Sequence, residues 1–350
     1  MAKQMIQKTE KKETGIRVAF LVRSALLIVV VAIVVTLAIP FLFSLTLSQE
    51  QTYSFTPDGQ FPVTVDPRNR VIAENAKVNE YLTSPDSPLM ASAWGLGSVI
   101  RESFAFLATT ISNAPWYAGI ASVEGRLVTI TPGMRKEQAA MVFGNVLSWS
   151  DKQKKEFMTA PATESLPFIE GSFSPGTYLL SSGMTPKEAQ ELVNERFTRD
   201  VLSHYGTTTA AIVPLDDAIN IAALIQRETI GTNDMRLVSG VIWNRLFLGM
   251  RLQVDATLQY AKANTKTATS WWPKVIPTDA HRRSPYNTYL NQGLPPAPIA
   301  NPSVAAILAA LNPLETSCLF YFNDEAGDIL CTDTYEQHVA LLKKYYGRGK

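Results

Sequence analysis

One glutamate in this sequence stands where a carboxyl group is expected to lose its hydration. Glu228 follows an apolar run in which Ile221, Leu224 and Ile225 share its helical stripe. Dehydration disfavours the charged form of a carboxyl group, and the C-terminal end of a helix disfavours an anion as well. Both effects raise the pKa of Glu228, so the pattern indicates a general acid that works near neutral pH.

The same pattern allows a structural interpretation. If the helix frays before residue 228, the carboxylate is solvated or pairs with Arg227 or Arg236. The start of the helix is clearer, since Pro214–Asp217 predicts an N-terminus with an aspartate as its cap. The pattern alone therefore leaves the acid and the ion pair as alternatives.

Polar residues follow in the next predicted elements. A second helix is predicted from Asn233 to Leu248, with Gly249 as its C-terminal cap. Beyond it, apolar and polar residues alternate over 252–255, which predicts a short extended piece with its polar side chains on one side. Further on, a proline-rich loop spans 293–302 and holds its polar groups in place at low entropic cost.

Composition excludes several classes of protein. The net charge of +1 argues against a strongly basic nucleic-acid-binding protein. His204, His281 and His338 are far apart, and no HExxH spacing occurs, so no catalytic metal and no cofactor are expected. The 350 residues are enough for two or three small domains.

The N-terminal segment has the character of a membrane anchor. Residues 24–46 lack charge and are mostly apolar, and about 20 such residues span a bilayer core. Six basic residues precede them, which predicts a cytoplasmic N-terminus and an exported C-terminal part. A cleaved signal peptide is the alternative, but its apolar region would be shorter.

Export would place two cysteines in an oxidising compartment. Cys318 and Cys331 flank a predicted hairpin whose turn lies near residues 323–327. A cross-strand disulfide and two buried free thiols are both compatible with this spacing.

Several ordered motifs of the C-terminal part resemble one known family. These motifs are AALIQRET at 222–229, VIWNRLFLGMRL at 241–252, QVDAT at 253–257, SPYNTY at 284–289 and GLPPAPIANP at 293–302. Weaker matches are VTITPG at 128–133 and the segment from Glu170 to Tyr178. The set is similar to the endolytic murein transglycosylases, the MltG or YceG-like family. The chain differs from the family's usual residues at Gln226, Ala256, Ala297 and Gln337.

The resemblance implies a reaction and a set of site residues. A single catalytic glutamate, which falls on Glu228, would cleave the MurNAc–GlcNAc bond of nascent peptidoglycan and leave 1,6-anhydromuramyl ends, terminating glycan elongation. No obvious second acid shares a motif with Glu228, although glycosidases generally use two carboxylates. The substrate-binding residues implied are Glu170, Asn244, Arg245, Gln253, Asp255, Tyr286, Asn287, Thr288 and Asn301.

The resemblance also implies an α+β architecture. We expect a cytoplasmic tail at 1–23, a transmembrane helix at 24–46, a juxtamembrane region of unknown role at 47–123, a LysM-like subdomain at 124–162 and a YceG-like catalytic domain at 163–346. From its strand–helix–helix pattern alone, the segment 124–162 could equally be a structural connector. The expected location is the bacterial inner membrane, as a single-pass protein with its catalytic part outside.

Expected partners are peptidoglycan strands, the membrane and peptidoglycan polymerases. A different class of function, a non-catalytic scaffold that binds peptidoglycan for the synthesis machinery, is the alternative. A protease or esterase is disfavoured, because the sequence contains no GxSxG motif.

Overall fold

The computed structural model describes residues 59–84, 125–159, 169–229, 234–263, 270–324 and 327–347, together with isolated positions. Among these residues, no helix is both long and apolar enough to cross a membrane. The predicted anchor at 24–46 lies outside them, except for four isolated positions.

The described residues form a mixed α+β fold, as the sequence predicts. Its strands are β1 Val65–Asp66, β2 Val71–Ile72, β3 Gly125–Ile130, β4 Gly176–Ser181, β5 Phe320–Asn323 and β6 Ile329–Thr332. Its helices are α1 Ala76–Thr83, α2 Lys136–Leu147, α3 Asp151–Thr159, α4 Pro186–Asp200, α5 Thr207–Ile212, α6 Leu215–Glu228, α7 Met235–Phe247, α8 Asp255–Ala263, α9 Val304–Leu311 and α10 Tyr335–Tyr346. Short 3-10 turns lie at Leu202–His204 and Pro277–His281. The strands form three antiparallel pairs: β1–β2 and β5–β6 are hairpins, whereas helices α2 and α3 lie between β3 and β4 in the sequence.

Helix α6 is the centre of the larger core. Every residue from Ala218 to Ile225 is buried, and the helix packs against α7 and against the apolar helix α9. Burial of each large aliphatic side chain contributes about 2 kcal/mol. The predicted cap of this helix is wrong, because Pro214 occupies the N-cap and Asp216 and Asp217 lie in the first turn instead. Acids in a first turn still stabilise the positive end of the helix dipole.

A smaller core lies between β3, α2, α3 and β4. Phe143, Trp149, Phe157 and Tyr178 are buried there and form a chain of contacting rings. Strand β3 pairs with β4 in a register that joins Ile130 to Gly176. The unit is therefore β-α-α-β, and its second strand lies beyond residue 162, where we expected the unit to end.

The segment 59–84 belongs to the larger core. Phe61, Val65 and Leu82 are buried in it, and the amide of Thr64 donates to the carbonyl of Leu311 at 3.1 Å. Asn312 Nδ2 donates to the carbonyl of Pro62 at 2.8 Å. Part of the region that we expected to be juxtamembrane and of unknown role thus packs onto the domain that contains the larger core around α6, which we call the helical domain.

Asn301 joins the β-α-α-β unit to the helical domain. Its Oδ1 accepts from the amides of Gly171 and Phe173, each at 2.9 Å. Its Nδ2 donates to the carbonyl of Met134 at 2.9 Å and to Glu170 Oε1 at 3.1 Å. The side chain is fully buried. One amide therefore satisfies polar groups from two segments that are far apart in sequence.

We predict that Asn301→Ala lowers the free energy of unfolding by about 3 kcal/mol, because two buried amide N–H groups lose their acceptor. The measurement is urea unfolding of the full-length chain. The matched control is Asn69→Ala, which removes an exposed asparagine amide that donates to Asp66. A loss equal to that of the control would contradict the joining role of Asn301.

Candidate active site

Glu228 is the last residue of α6 and faces the β5–β6 hairpin. Its side chain is partly buried, and Tyr321 Oη donates to Glu228 Oε2 at 3.0 Å. Burial raises the pKa of the Glu228 carboxyl, and the nearby charge of Asp255 acts in the same direction. The phenol of Tyr321, the backbone amide of Ala256 and the charge of Arg227 oppose this rise. The acid-favouring environment predicted from the apolar stripe is thus present.

The two arginines proposed as ion-pair partners of Glu228 have other contacts. Arg236 donates to the carbonyl of Asn312 at 2.8 Å and to Asn79 Oδ1 at 2.7 Å. The guanidinium of Arg227 lies 3.9 Å above the ring centre of Trp272. Neither arginine therefore holds the carboxylate of Glu228 in a close ion pair.

The start of α8 brings a second carboxylate towards Glu228. Leu252 and Val254 are buried whereas Gln253 and Asp255 are exposed, so the predicted alternation is confirmed. The prediction of an extended piece over 252–255 is wrong, because Gln253 is left-handed and Asp255 begins α8. Gln253 adopts a φ of 50°, which is uncommon for a residue other than glycine. Tyr289 Oη donates to Asp255 Oδ1 at 2.6 Å and thereby holds this carboxylate. Asp255 is close enough for its charge to raise the pKa of Glu228.

Arg245 connects the hairpin to the loop that precedes α8. Its Nε donates to the carbonyl of Leu319 at 2.6 Å, and its Nη1 donates to the carbonyl of Leu252 at 2.5 Å. The side chain is buried, which lowers the pKa of the guanidinium, and the charge of Glu228 opposes this shift. A buried, hydrogen-bonded guanidinium therefore interacts electrostatically with the candidate acid.

Other predicted site residues hold loops in place. Thr288 Oγ1 accepts from the amide of Val254 at 3.0 Å, and its carbonyl accepts from the amide of Gln253 at 3.1 Å. Asn287 is fully buried, and its Oδ1 accepts from the amide of Tyr289 at 2.8 Å. These contacts set the position of the Tyr289 phenol that reaches Asp255.

Asn244 anchors the segment that leads into β5. Its Nδ2 donates to the carbonyl of Thr316 at 2.7 Å and to that of Cys318 at 3.1 Å. Cys318 and Cys331 form a disulfide, which decides between the two alternatives left by the sequence. Asn244 and the disulfide both act on the hairpin that carries Tyr321.

Glu170 lies at the junction of the β-α-α-β unit and the helical domain. It is 4% exposed, and its Oε1 accepts from the amide of Lys136 at 2.8 Å, at the first turn of α2. Its Oε2 is buried with no hydrogen-bond partner among the described residues. Burial, with the charge of Glu137, raises the pKa of Glu170 to about 8. The residue is therefore protonated over much of the neutral range.

Tyr286 and two aromatic neighbours line the same junction. The rings of Tyr286 and Tyr260 are 4.8 Å apart, and the guanidinium of Arg135 lies 4.1 Å above the Tyr260 ring. Trp272 Nε1 donates to Gln138 Oε1 at 3.2 Å. The Trp272 side chain is thus a contact between α2 and the end of α6.

The structure divides the predicted site residues into three groups. The first group surrounds the candidate acid and comprises Glu228, Arg245 and Asp255. The second lies at the junction of the two units and comprises Glu170, Tyr286 and Asn301. The third supports loops and comprises Asn244, Gln253, Asn287 and Thr288. The analysis of the sequence missed Tyr289 and Tyr321 as site residues. Tyr289 lies within the SPYNTY motif and Tyr321 within the predicted hairpin, but local patterns do not show which side chains face Glu228.

This arrangement is suited to acid–base chemistry. The Glu228 carboxyl has a raised pKa and accepts a hydrogen bond from the Tyr321 phenol. The exposed Asp255 carboxyl accepts one from the Tyr289 phenol. In the described part of the chain, no group of three or more His, Cys, Asp or Glu side chains could hold a metal ion.

We predict that Asp255→Asn lowers the pKa of Glu228, because a neighbouring negative charge is removed. The measurement is carboxyl-carbon NMR titration of the full-length chain with labelled glutamate, assigned by comparison with Glu228→Gln. The control is Asp333→Asn, at an exposed aspartate that accepts from Ser317. An unchanged or higher pKa would show that the two carboxyl groups do not interact.

We predict that the free energy of unfolding of the native chain falls as pH rises towards 8, and that Glu170→Gln abolishes this fall. Between the ordinary pKa of 4.5 and about 8, the folded state binds more protons at Glu170 than the unfolded state does. Stability therefore falls as pH rises through this window, and the glutamine variant gains on the native chain towards pH 8. Urea unfolding at a series of pH values measures the effect.

The control for this prediction is Glu188→Gln. Hydrogen bonds from Thr185 lower the pKa of Glu188, so its contribution to stability is lost only as pH falls below the usual carboxyl range. That variant should leave the slope above pH 5 unchanged. An equal slope in Glu170→Gln and the native chain would refute the prediction.

Comparison with known proteins gives related chains in Bacillus subtilis and Streptococcus pneumoniae. Over 241 residues the chain is 28% identical to a Bacillus subtilis (strain 168) protein named endolytic murein transglycosylase, a match that covers 62% of this chain and 64% of that one. Over 171 residues it is 28% identical to a protein of the same name from Streptococcus pneumoniae (strain D39), covering 49% and 31%. The chain thus spans less than two thirds of these curated relatives.

The fold has a solved counterpart. A crystal structure of a YceG-like protein from Listeria monocytogenes aligns with a TM-score of 0.54 and 23% identity, covering 68% of this chain and 81% of that one. At this identity the likeness concerns the fold alone. The model of the YceG-like family matches residues 102–344, which is well over half of the sequence, and the chain therefore belongs to the YceG-like family.

Proposed function

We propose that this chain is an endolytic lytic transglycosylase of peptidoglycan, with Glu228 as its acid and base. The observation that carries the proposal is the partly buried Glu228 carboxyl, whose pKa is raised and whose Oε2 accepts from Tyr321. The names of the two relatives support the same reaction. Together they favour cleavage of the MurNAc–GlcNAc bond.

The proposed reaction has two proton transfers, and Glu228 takes part in both. Glu228, protonated, donates to the glycosidic oxygen as the bond from that oxygen to C1 of the muramyl residue breaks. The resulting Glu228 carboxylate then takes the proton of the C6 hydroxyl, and the C6 oxygen attacks C1. The product is a 1,6-anhydromuramyl end, water is not consumed, and Glu228 regains its proton.

Asp255 has a natural role in this reaction. The bond cleavage develops positive charge at C1, and an anion held beside the acid stabilises such charge. Tyr289 holds Asp255 in place through a hydrogen bond of 2.6 Å. The family resemblance implied a single catalytic acid. We propose that Glu228 alone transfers protons and that Asp255 assists it electrostatically.

We also propose a place for the reaction. The apolar, uncharged segment 24–46 would anchor the chain in the bacterial cytoplasmic membrane, with the C-terminal part outside. The β-α-α-β unit has the strand–helix–helix–strand order expected of a LysM-like glycan-binding module, and it would hold the glycan strand. Peptidoglycan polymerases are the partners that would supply nascent strands.

We predict that the full-length chain releases 1,6-anhydromuropeptides from peptidoglycan and that Glu228→Gln lowers this rate at least 10³-fold without unfolding the chain, because the amide cannot donate an acidic proton. Mass spectrometry of the products measures the reaction. Glu195→Gln, at an exposed glutamate of α4, is the control and should retain full activity.

Two outcomes of this experiment would reject the proposal. Products with reducing ends would indicate ordinary hydrolysis. Peptidoglycan binding without cleavage, unaffected by Glu228→Gln, would favour the scaffold function.

A further inference from the structure

The β5–β6 hairpin lies against the C-terminal end of α6 and brings Tyr321 to Glu228. Tyr321 Oη donates to Glu228 Oε2 at 3.0 Å. Burial and the neighbouring Glu228 carboxylate keep the pKa of this phenol well above its usual value. Tyr321 is therefore protonated at neutral pH and can donate a hydrogen bond.

The strand that carries Tyr321 is fixed by contacts on both sides. Arg245 Nε donates to the carbonyl of Leu319 at 2.6 Å, and the amide of Leu319 donates to the carbonyl of Thr332 at 2.9 Å. The Cys318–Cys331 disulfide closes the same hairpin, and the backbone of Tyr321 is paired opposite Cys331. The phenol is thus held by covalent and hydrogen-bonded supports.

We propose that Tyr321 is a positioning residue that directs the transferable proton of Glu228 to Oε1 and stabilises the carboxylate left after that proton is transferred. The inference rests on the proposed function of Glu228. It assigns a role to the hairpin that none of the relatives' names states.

The chemical argument concerns the two oxygens of one carboxyl group. In a protonated carboxyl group, the oxygen that accepts a hydrogen bond is favoured as the carbonyl oxygen, so the acidic proton lies on the other. Tyr321 donates to Oε2, so this contact favours the proton on Oε1. When Glu228 becomes an anion, the same hydrogen bond becomes charge-assisted and stronger. The hydrogen bond therefore stabilises the Glu228 carboxylate formed by proton transfer more than it stabilises the protonated Glu228.

Several charged groups face Glu228 and set the direction of the expected pH effect. Burial and the charge of Asp255 raise the pKa of Glu228, whereas the Tyr321 phenol, the amide of Ala256 and the charge of Arg227 lower it. Arg245 and Tyr289, on the neighbouring elements, also interact electrostatically with the Glu228 charge. Loss of the Tyr321 hydroxyl alone removes a stabiliser of the anion and raises the pKa of Glu228.

The test is Tyr321→Phe in the full-length chain, assayed on peptidoglycan strands across a range of pH. We expect kcat to fall about 10- to 100-fold, as for other hydrogen bonds to charged groups, with a small change in KM. We also expect the alkaline limb of the rate profile to move to higher pH. A merely structural role would lower the rate without moving this limb.

The matched control is Tyr346→Phe. The Tyr346 hydroxyl donates to the carbonyl of Asn323 on the same strand, so this variant removes a phenol contact to the hairpin but none to Glu228. It should keep both the rate and the pH profile of the native chain. Carboxyl-carbon NMR of Glu228 in both variants reads the same shift without an assay.

The outcomes separate the inference from the proposed function. If the native chain is active and Glu228→Gln is not, but Tyr321→Phe keeps the native profile and the native Glu228 pKa, the inference is wrong and the function stands. If the native chain releases no anhydro product, the proposed function is wrong. An NMR titration that shows no rise in the pKa of Glu228 in Tyr321→Phe would then overturn the inference as well.

Discussion

The dehydration of one carboxyl group at the end of a buried helix is the constraint around which the site is built. Residues 218–225 of α6 are buried, so the helix cannot turn Glu228 away without exposing its own core. A carboxyl group in that place must be protonated or supported by local donors, since burial of an unsupported charge costs several kcal/mol. Tyr321 and the amide of Ala256 are those donors, and they leave Glu228 able to alternate between acid and anion.

The surrounding groups act on this balance in opposite directions. Asp255 favours the acid, and Tyr321 favours the anion. Arg245 links the segment before Asp255 to the strand that carries Tyr321, because its guanidinium binds the carbonyls of both Leu252 and Leu319. The pKa of Glu228 is therefore set by three segments, the end of α6, the start of α8 and the β5–β6 hairpin, rather than by the helix alone. This arrangement matches the demands of a group that gives a proton and then takes one.

A second polar cluster holds the β-α-α-β unit against the helical domain. Asn301 satisfies the amides of Gly171 and Phe173, and Glu170 accepts from the first turn of α2. Arg227 and Trp272 complete the contact from the end of α6. Consecutive residues of one helix thus serve two purposes: Arg227 contacts the unit proposed to bind glycan, and Glu228 faces the hairpin. Any movement of the β-α-α-β unit would therefore change the contacts of Arg227, the residue next to the acid.

The sequence by itself determined the features that depend on neighbours a few residues away. The stripe of Ile221, Leu224 and Ile225 predicted the position of Glu228, and the alternation at 252–255 predicted that Gln253 and Asp255 would be exposed. Only the tertiary structure decided that Tyr321 and Asp255 meet Glu228, that β3 pairs with β4, and that Glu170 is buried at a junction. The physical reason is the range of the contacts. Helical and strand periodicity fixes which residues share a face, whereas the partner of that face comes from a segment tens of residues away and is chosen by packing of the whole core.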